Sequence, residues 1–203
     1  MNENDEKMSR LDAAFWDARY RNAETGWDTG KVTEPMKAYI DQLHDLDTKI
    51  LVPGCGNAYE VGYLLEKGFR NITAIDISSL LTDRLRKKFS EEEGKRLTII
   101  SGDFFELAGS YDLILEQTFF CALPLYRRKD YVRTMYRLLK PGGKIAGVLF
   151  DREFVGGPPF GGSRAEYEEL FSAEFNKRSM EPCYNSIDPR KGAELFIIFE
   201  KDK

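Results

Sequence analysis

The run ILVPGCGNAYEVGYLL, residues 50–65, constrains the fold more than any other stretch of the chain. It opens as a buried apolar strand and closes with helical periodicity. Pro53, Gly54 and Gly56 stand at the handover. Glycine lacks a Cβ, so the turn can be tight and a ligand can press against the backbone. A strand that feeds directly into a helix is the opening unit of a parallel α/β sheet.

The chain continues that alternation. Strands are expected at 49–53, 71–76, 97–101, 111–116 and 144–151, with helices at 58–66, 78–89 and 129–139. LLKPGG supplies the stop signals for the last of these helices. A short helix at 164–171 follows. Two further strands, 174–183 and 193–200, are joined by the turn-rich NSIDPRKG, which favours an antiparallel pair at the end of the sheet. Ahead of the sheet, residues 1–8 are expected to fray. Ser9 can cap a helix over 9–21, with Leu11, Ala14, Phe15 and Ala18 on one face. A loop carrying WDTG follows, and Pro35 can open, at its first position, a helix running to 46.

With 203 residues, 42% of them hydrophobic, the chain can bury one core, and a single domain is the expectation. Residues 1–47 form its helical front and 48–203 its sheet. The formal charge of −4 gives no sign of a nucleic-acid or anionic-membrane partner. No run reaches the length of a membrane span, and MNENDEKMSR has no apolar segment of a secretory signal. Cys55, Cys121 and Cys183 are far apart and odd in number, which fits reduced thiols in the cytoplasm. The single histidine, His44, reads as a surface residue, and no Cys or His pair has metal-ligand spacing.

Ligands of open α/β sheets bind at the carboxyl ends of the strands. Asp76 ends the second strand, twenty-two residues after Gly54. A carboxylate there can accept both hydroxyls of a ribose. The dinucleotide fingerprint wants a third glycine where this chain has Tyr59. That argues against NAD and for a nucleoside ligand without phosphates, S-adenosylmethionine being the obvious one. Cys55, within the turn, and Ile77, after the acid, join the candidate set. After the third strand, Asp103 can accept an adenine amino group and Phe104 can lie on the base; one of Phe104 and Phe105 is expected to be core. Glu116, Gln117 and Thr118 follow the fourth strand and are expected at the mouth of the cleft, a solvated loop being the alternative.

LVPGCGNAYEV, AIDIS, GDFF, TFFCAL and MYRLLKPGGKI resemble motifs of S-adenosylmethionine-dependent methyltransferases with the seven-strand Rossmann-like fold. FWDARYRNAETGWDTG and GGPPFGGSRAEYEELF are similar to the thiopurine S-methyltransferase family, which also holds halide and thiol methyltransferases. The resemblance runs from about Phe15 to Lys201. It implies five parallel strands plus a C-terminal antiparallel pair, under an N-terminal helical lid. It further implies that Trp16, Tyr20 and Trp27 cover the cofactor and that Gly54 and Gly56 meet its methionine side. Asp76 would hold the ribose, Asp103 and Phe104 the adenine edge, and Gln117 the methionine end. Where drug-metabolising members read Asp-Arg-Gly-Ala, this chain reads Glu116-Gln117-Thr118-Phe119, and FFCA is closer to the halide and thiol branch.

Methyl transfer from a sulfonium is an in-line displacement, and placing the nucleophile supplies much of the acceleration. A thiol is already partly ionised near neutral pH, and a halide or thiocyanate needs no base. A small soft methyl acceptor, a thiol above all, is therefore expected, with no catalytic group assigned beyond positioning by Glu116, Gln117 and Phe160. Phe160, in the loop VGGPPFGG, is expected to face the acceptor. A monomer is the expected state. Three alternatives stand beside this: another small-molecule methyltransferase of the same fold, a non-catalytic S-adenosylmethionine-binding protein, and an NAD-dependent oxidoreductase, for which the Tyr63 and Lys67 spacing lies far from where that chemistry occurs and reads as coincidence. An amino-group methyltransferase acting on nucleic acid would carry Pro-Pro-Tyr after the fourth strand, and this chain does not.

Overall fold

The structure is a computed structural model that describes residues 11–203. The expected fraying of 1–8 and the Ser9 cap lie outside the described residues. Within them, helix α1 spans Ala13–Arg21 and is capped by Asp12, whose carboxylate accepts the Phe15 N–H at 2.9 Å. Helix α2, Glu34–Ile40, has Thr33 as N-cap and Pro35 at its second position. It stops well short of residue 46. There the Asp45 side chain accepts the Asp47 N–H at 3.0 Å and the Asp45 carbonyl accepts the Thr48 hydroxyl at 2.7 Å, a local turn that competes with helix.

The alternating core follows as β1 (Lys49–Pro53), α3 (Tyr59–Glu66), β2 (Asn71–Asp76), α4 (Ser79–Lys88) and β3 (Leu97–Ser101). Then come β4 (Tyr111–Gln117), α5 (Arg128–Leu138) and β5 (Leu139–Phe150), with α6 (Arg164–Ser172), β6 (Asn176–Pro182) and β7 (Glu194–Glu200) completing the chain. Ser78 caps α4 by accepting the Leu81 N–H at 3.1 Å. One expectation needs correcting. The stop signals do end α5, but β5 resumes at Leu139 rather than at 144. Leu139 pairs with Tyr111 and Lys144 with Leu113, so the intervening residues, including Gly142 at φ +76°, bulge out of the ladder.

The seven strands form one sheet in the order β3-β2-β1-β4-β5-β7-β6. β1 to β5 are parallel, and β7 runs antiparallel between β5 and β6. Alternation sends Leu51 and Ile114 to one face, and Ile50, Val52, Leu113 and Leu115 to the other. The first face packs against Tyr131, Met135 and Leu138 of α5 and Phe171 of α6. The second packs against Met36, Ile40, Val61, Leu64, Leu81 and Leu85 of α2, α3 and α4. Strands buried on both sides read as continuous apolar runs, as β1 does. The strand order reverses between β1 and β4, which opens a crevice at their carboxyl ends. Among the described residues, no helix is long and apolar enough to cross a membrane.

Candidate active site

The glycine turn is built for its backbone. Gly54 and Gly56 have φ of +54° and +52°, the left-handed region that side chains disfavour. Among the side chains of the protein, aromatics stand nearest to both glycines. A Cβ on Gly54 would stand 2.2 Å from the Phe119 ring, and one on Gly56 would stand 3.4 Å from the Tyr20 hydroxyl. Both rings also line the cavity, so the turn is a floor packed by aromatic side chains.

The turn and the acid of β2 are one unit. The Gly56 N–H donates to Asp76 Oδ2 at 3.2 Å, and the Ser78 N–H donates to Oδ1 at 2.9 Å. Burial raises the Asp76 carboxyl to about 6, against the pull of these two donors. Each oxygen holds one N–H, so each keeps acceptor capacity toward the cavity.

That cavity measures about 350 Å³ and lies over the ends of β1, β2 and β4. Trp16, Tyr20 and Trp27 wall it from the N-terminal side, while Gly54, Cys55, Gly56, Asn57, Tyr59 and Glu60 contribute from the turn and α3. Asp76 ends β2 and Ile77 follows it, and Asp103, Phe104 and Phe105 follow β3. Gln117 ends β4, and Thr118 and Phe119 follow it. Every residue of the expected cofactor set thus borders one space. The three N-terminal aromatics meet edge-on: Trp16 and Trp27 at 5.5 Å, Tyr20 and Trp27 at 6.0 Å.

Long-range polar contacts hold the N-terminal segment there. Asp17 accepts the Ser78 hydroxyl and, at 3.3 Å, the Leu80 N–H at the start of α4. Asp28 accepts the Asn57 side-chain amide. Arg190 donates to the Trp27 carbonyl at 2.9 Å, and Thr33 donates to Gln117 Oε1 at 3.0 Å.

Two positioning residues stand elsewhere than expected. Glu116 is fully buried rather than at the cleft mouth. Its Oε1 accepts the Phe119 and Phe120 N–H groups at 2.8 and 2.9 Å, and its Oε2 accepts the Tyr131 hydroxyl at 2.6 Å. The reason is strand alternation: Gln117 faces the cavity, so Glu116 faces the core. Burial lifts its carboxyl to about 7. Its bracket pins a turn in which Thr118 adopts φ +59°, a strained value for a β-branched residue. Phe160 does not line the cavity either. It is buried, its N–H donates to the Cys121 carbonyl at 2.6 Å, and its ring fills the space a Gly157 side chain would need. Arg128 straps the same loop inward through the Gly161 carbonyl and Glu166.

Asp103 commits Oδ1 to the Phe105 N–H at 2.8 Å. Phe104 is the core member of its pair, packed on Phe119 and Tyr131, while the half-buried Phe105 carries the Arg127 guanidinium 3.7 Å over its ring. Sequence reasoning missed Glu60 and Arg127. Both read as solvated positions of charged helix starts. Among the described residues, no group of three or more His, Cys, Asp or Glu side chains could hold a metal ion.

The sequence profile of the thiopurine S-methyltransferase family matches residues 11–201. The chain belongs to that family. Probable thiol methyltransferase 2 of Arabidopsis thaliana is 36% identical over 200 residues, covering 96% of this chain and 88% of that protein. Thiocyanate methyltransferase 1 of Brassica oleracea is 29% identical over 191 residues, covering 92% of this chain and 84% of that protein. The fold matches the crystal structure of Burkholderia thailandensis 1,6-didemethyltoxoflavin-N1-methyltransferase, with a TM-score of 0.77 at 19% identity, over 98% of this chain and 90% of that one. That structure holds S-adenosylhomocysteine and 1,6-didemethyltoxoflavin.

As a member of the thiopurine S-methyltransferase family, the protein is a methyltransferase whose cofactor is S-adenosylmethionine. The residues present fit that cofactor. Asp76 retains acceptor capacity for a sugar's hydroxyls, and three aromatic rings border the space a sulfonium would enter.

Proposed function

We propose that this chain methylates a small soft nucleophile that arrives ionised or nearly so, a thiol or an anion of the thiocyanate type. The observation that carries this reading is the chemistry of the cavity wall. Trp16, Tyr20, Trp27, Phe105, Phe119 and Tyr126 give it aromatic faces, Asp12, Asp28, Asp76 and Asp103 already accept N–H groups of the protein, and among the described lining residues Arg127 is the one cation and no histidine stands. His44 is exposed on the surface. Such a wall suits an acceptor that needs no strong base, and an aromatic face also attracts a cationic sulfonium by roughly 0.5–2 kcal/mol. The relatives named for thiol and thiocyanate substrates support the same class.

S-adenosylmethionine, when bound, supplies the methyl group on a positively charged sulfur. In this reading the described N-terminal residues up to 47 are a lid, and Trp16, Tyr20 and Trp27 exclude water from the transfer. Asp76 binds the ribose, Asp103 with Phe104 and Ile77 the adenine, and Gly54, Cys55, Gly56 and Gln117 the methionine portion. Glu116 acts through the turn it holds rather than by touching the acceptor. The protein acts as a cytoplasmic monomer on small molecules. Its three free, buried cysteines support a reducing compartment.

A panel of acceptors assayed with methyl-labelled cofactor tests the reading. Thiols, thiopurines, thiocyanate and halides should accept label, and simple alcohols should not. Transfer confined to amines or hydroxyls would replace this class with another small-molecule acceptor. Cofactor binding without transfer to any acceptor would favour a non-catalytic binding protein.

A further inference from the structure

We propose that Glu60 is the counter-charge for the α-amino group of the bound cofactor, a role that rests on the reading of the cavity given above. Glu60 lies in the first turn of α3 and lines the cavity, yet only 6% of its surface is exposed. A buried carboxylate needs a charged or hydrogen-bonding partner, and among the described residues no other residue hydrogen-bonds to this one. The nearby cation is engaged elsewhere: Arg190 donates to the Trp27 carbonyl at 2.9 Å and to Glu194 Oε1 at 3.5 Å.

The position of Glu60 in the cavity selects the ligand group. Asp103 and Asp76, at the ends of β3 and β2, mark the adenine and ribose end. The glycine turn after β1 and Gln117 at the end of β4 mark the opposite, amino-acid end. Glu60 follows that turn directly, next to Cys55, and lines the same cavity as Trp27. An amino-acid end presents one cation, its ammonium, and Glu60 is a buried anion at that place without a partner. Burial raises its carboxyl to about 7, so an ammonium also gives it a reason to ionise.

The test compares two nucleosides by calorimetry. S-adenosylhomocysteine carries the amino-acid end on a neutral sulfur; 5′-methylthioadenosine keeps the adenosine and the thioether but lacks that end. Glu60→Gln should weaken S-adenosylhomocysteine by about tenfold or more, the loss expected for a charge-assisted hydrogen bond, and leave methylthioadenosine unchanged. Unchanged binding of both, or an equal loss for both, would overturn the assignment to the ammonium. Wild-type protein that binds neither nucleoside would overturn the reading of the cavity itself, and this proposal with it.

A second measurement needs no variant. The ratio of the two affinities in wild-type protein should rise severalfold between about pH 6 and about pH 7.5, as Glu60 ionises more readily. The charged and titratable groups facing Glu60 are Cys55 from the turn, Tyr59 beside it and Arg190 from the turn before β7. Burial holds the Cys55 thiol well above this range, and Tyr59 is raised. Asp76 faces the ribose that both nucleosides share. A flat ratio would count against Glu60.

Discussion

Asp76 shows how much one side chain can coordinate. It ties the glycine turn to the start of α4 and presents its remaining lone pairs to the cavity. Asp76→Asn keeps the shape but converts one acceptor oxygen into a donor. Calorimetry should show about tenfold weaker binding of S-adenosylhomocysteine and of methylthioadenosine alike, because both carry the ribose. Equal affinity in the variant would remove Asp76 from the site. Arg127 is the other residue-scale case. It lines the cavity, stacks on Phe105, and its nearest carboxylate, Asp130, is 3.9 Å away. Arg127→Gln should raise KM for anionic acceptors about tenfold and leave neutral thiols little changed. The sequence carried Asp76 because an acid at the end of a strand is a local pattern. It hid Arg127, since one arginine among several at a helix start is marked out only by the ring and the cavity it meets.

The N-terminal segment proposed as a lid and the loop after β5 behave as elements, and they differ in what holds them. The N-terminal segment is attached by polar contacts spread over Asp17, Asp28, Thr33 and Trp27. Removing residues before Lys31 should leave a sheet that still melts cooperatively and should abolish binding of S-adenosylhomocysteine. Full-strength binding by the truncated protein would show that the segment is no lid. The loop after β5 is fixed by burial. The Phe160 ring is packed under the loop, and Arg128 bonds the Gly161 carbonyl. Phe160→Ala should therefore cost about 3 kcal/mol of stability in denaturant titration, with the order of acceptor preference kept. A reordered preference at unchanged stability would return Phe160 to the acceptor site.

Among the described residues, four buried carboxyls lie above their ordinary values: Asp76 at about 6, Glu60 and Glu116 at about 7, and Glu194. Burial is the leading cause for each. Between the unfolded value, 4.5 for glutamate, and the folded value, the native state holds more protons than the unfolded chain. Stability should therefore fall as pH rises through this window and level off above about 7. Glu116→Gln keeps an acceptor for the Phe119 and Phe120 N–H groups and cannot ionise. Its stability should decline less than that of the wild type between about pH 5 and 7, with Asp76, Glu60 and Glu194 contributing equally to both proteins. Parallel curves would mean that Glu116 is ionised throughout.

The order of strands and helices, the left-handed glycine turn and the acid at the end of β2 were settled by the chain itself. Each depends on spacing over a few residues: the periods of strand and helix, the φ that glycine tolerates, the charge a strand ends on. Only the tertiary structure turned Glu116 into the core and Gln117 out, folded Phe160 under its loop, and brought Glu60 and Arg127 to the cavity. A side chain's direction depends on which face of the sheet is already filled and on which distant segment covers it. Residues far apart in the chain decide both.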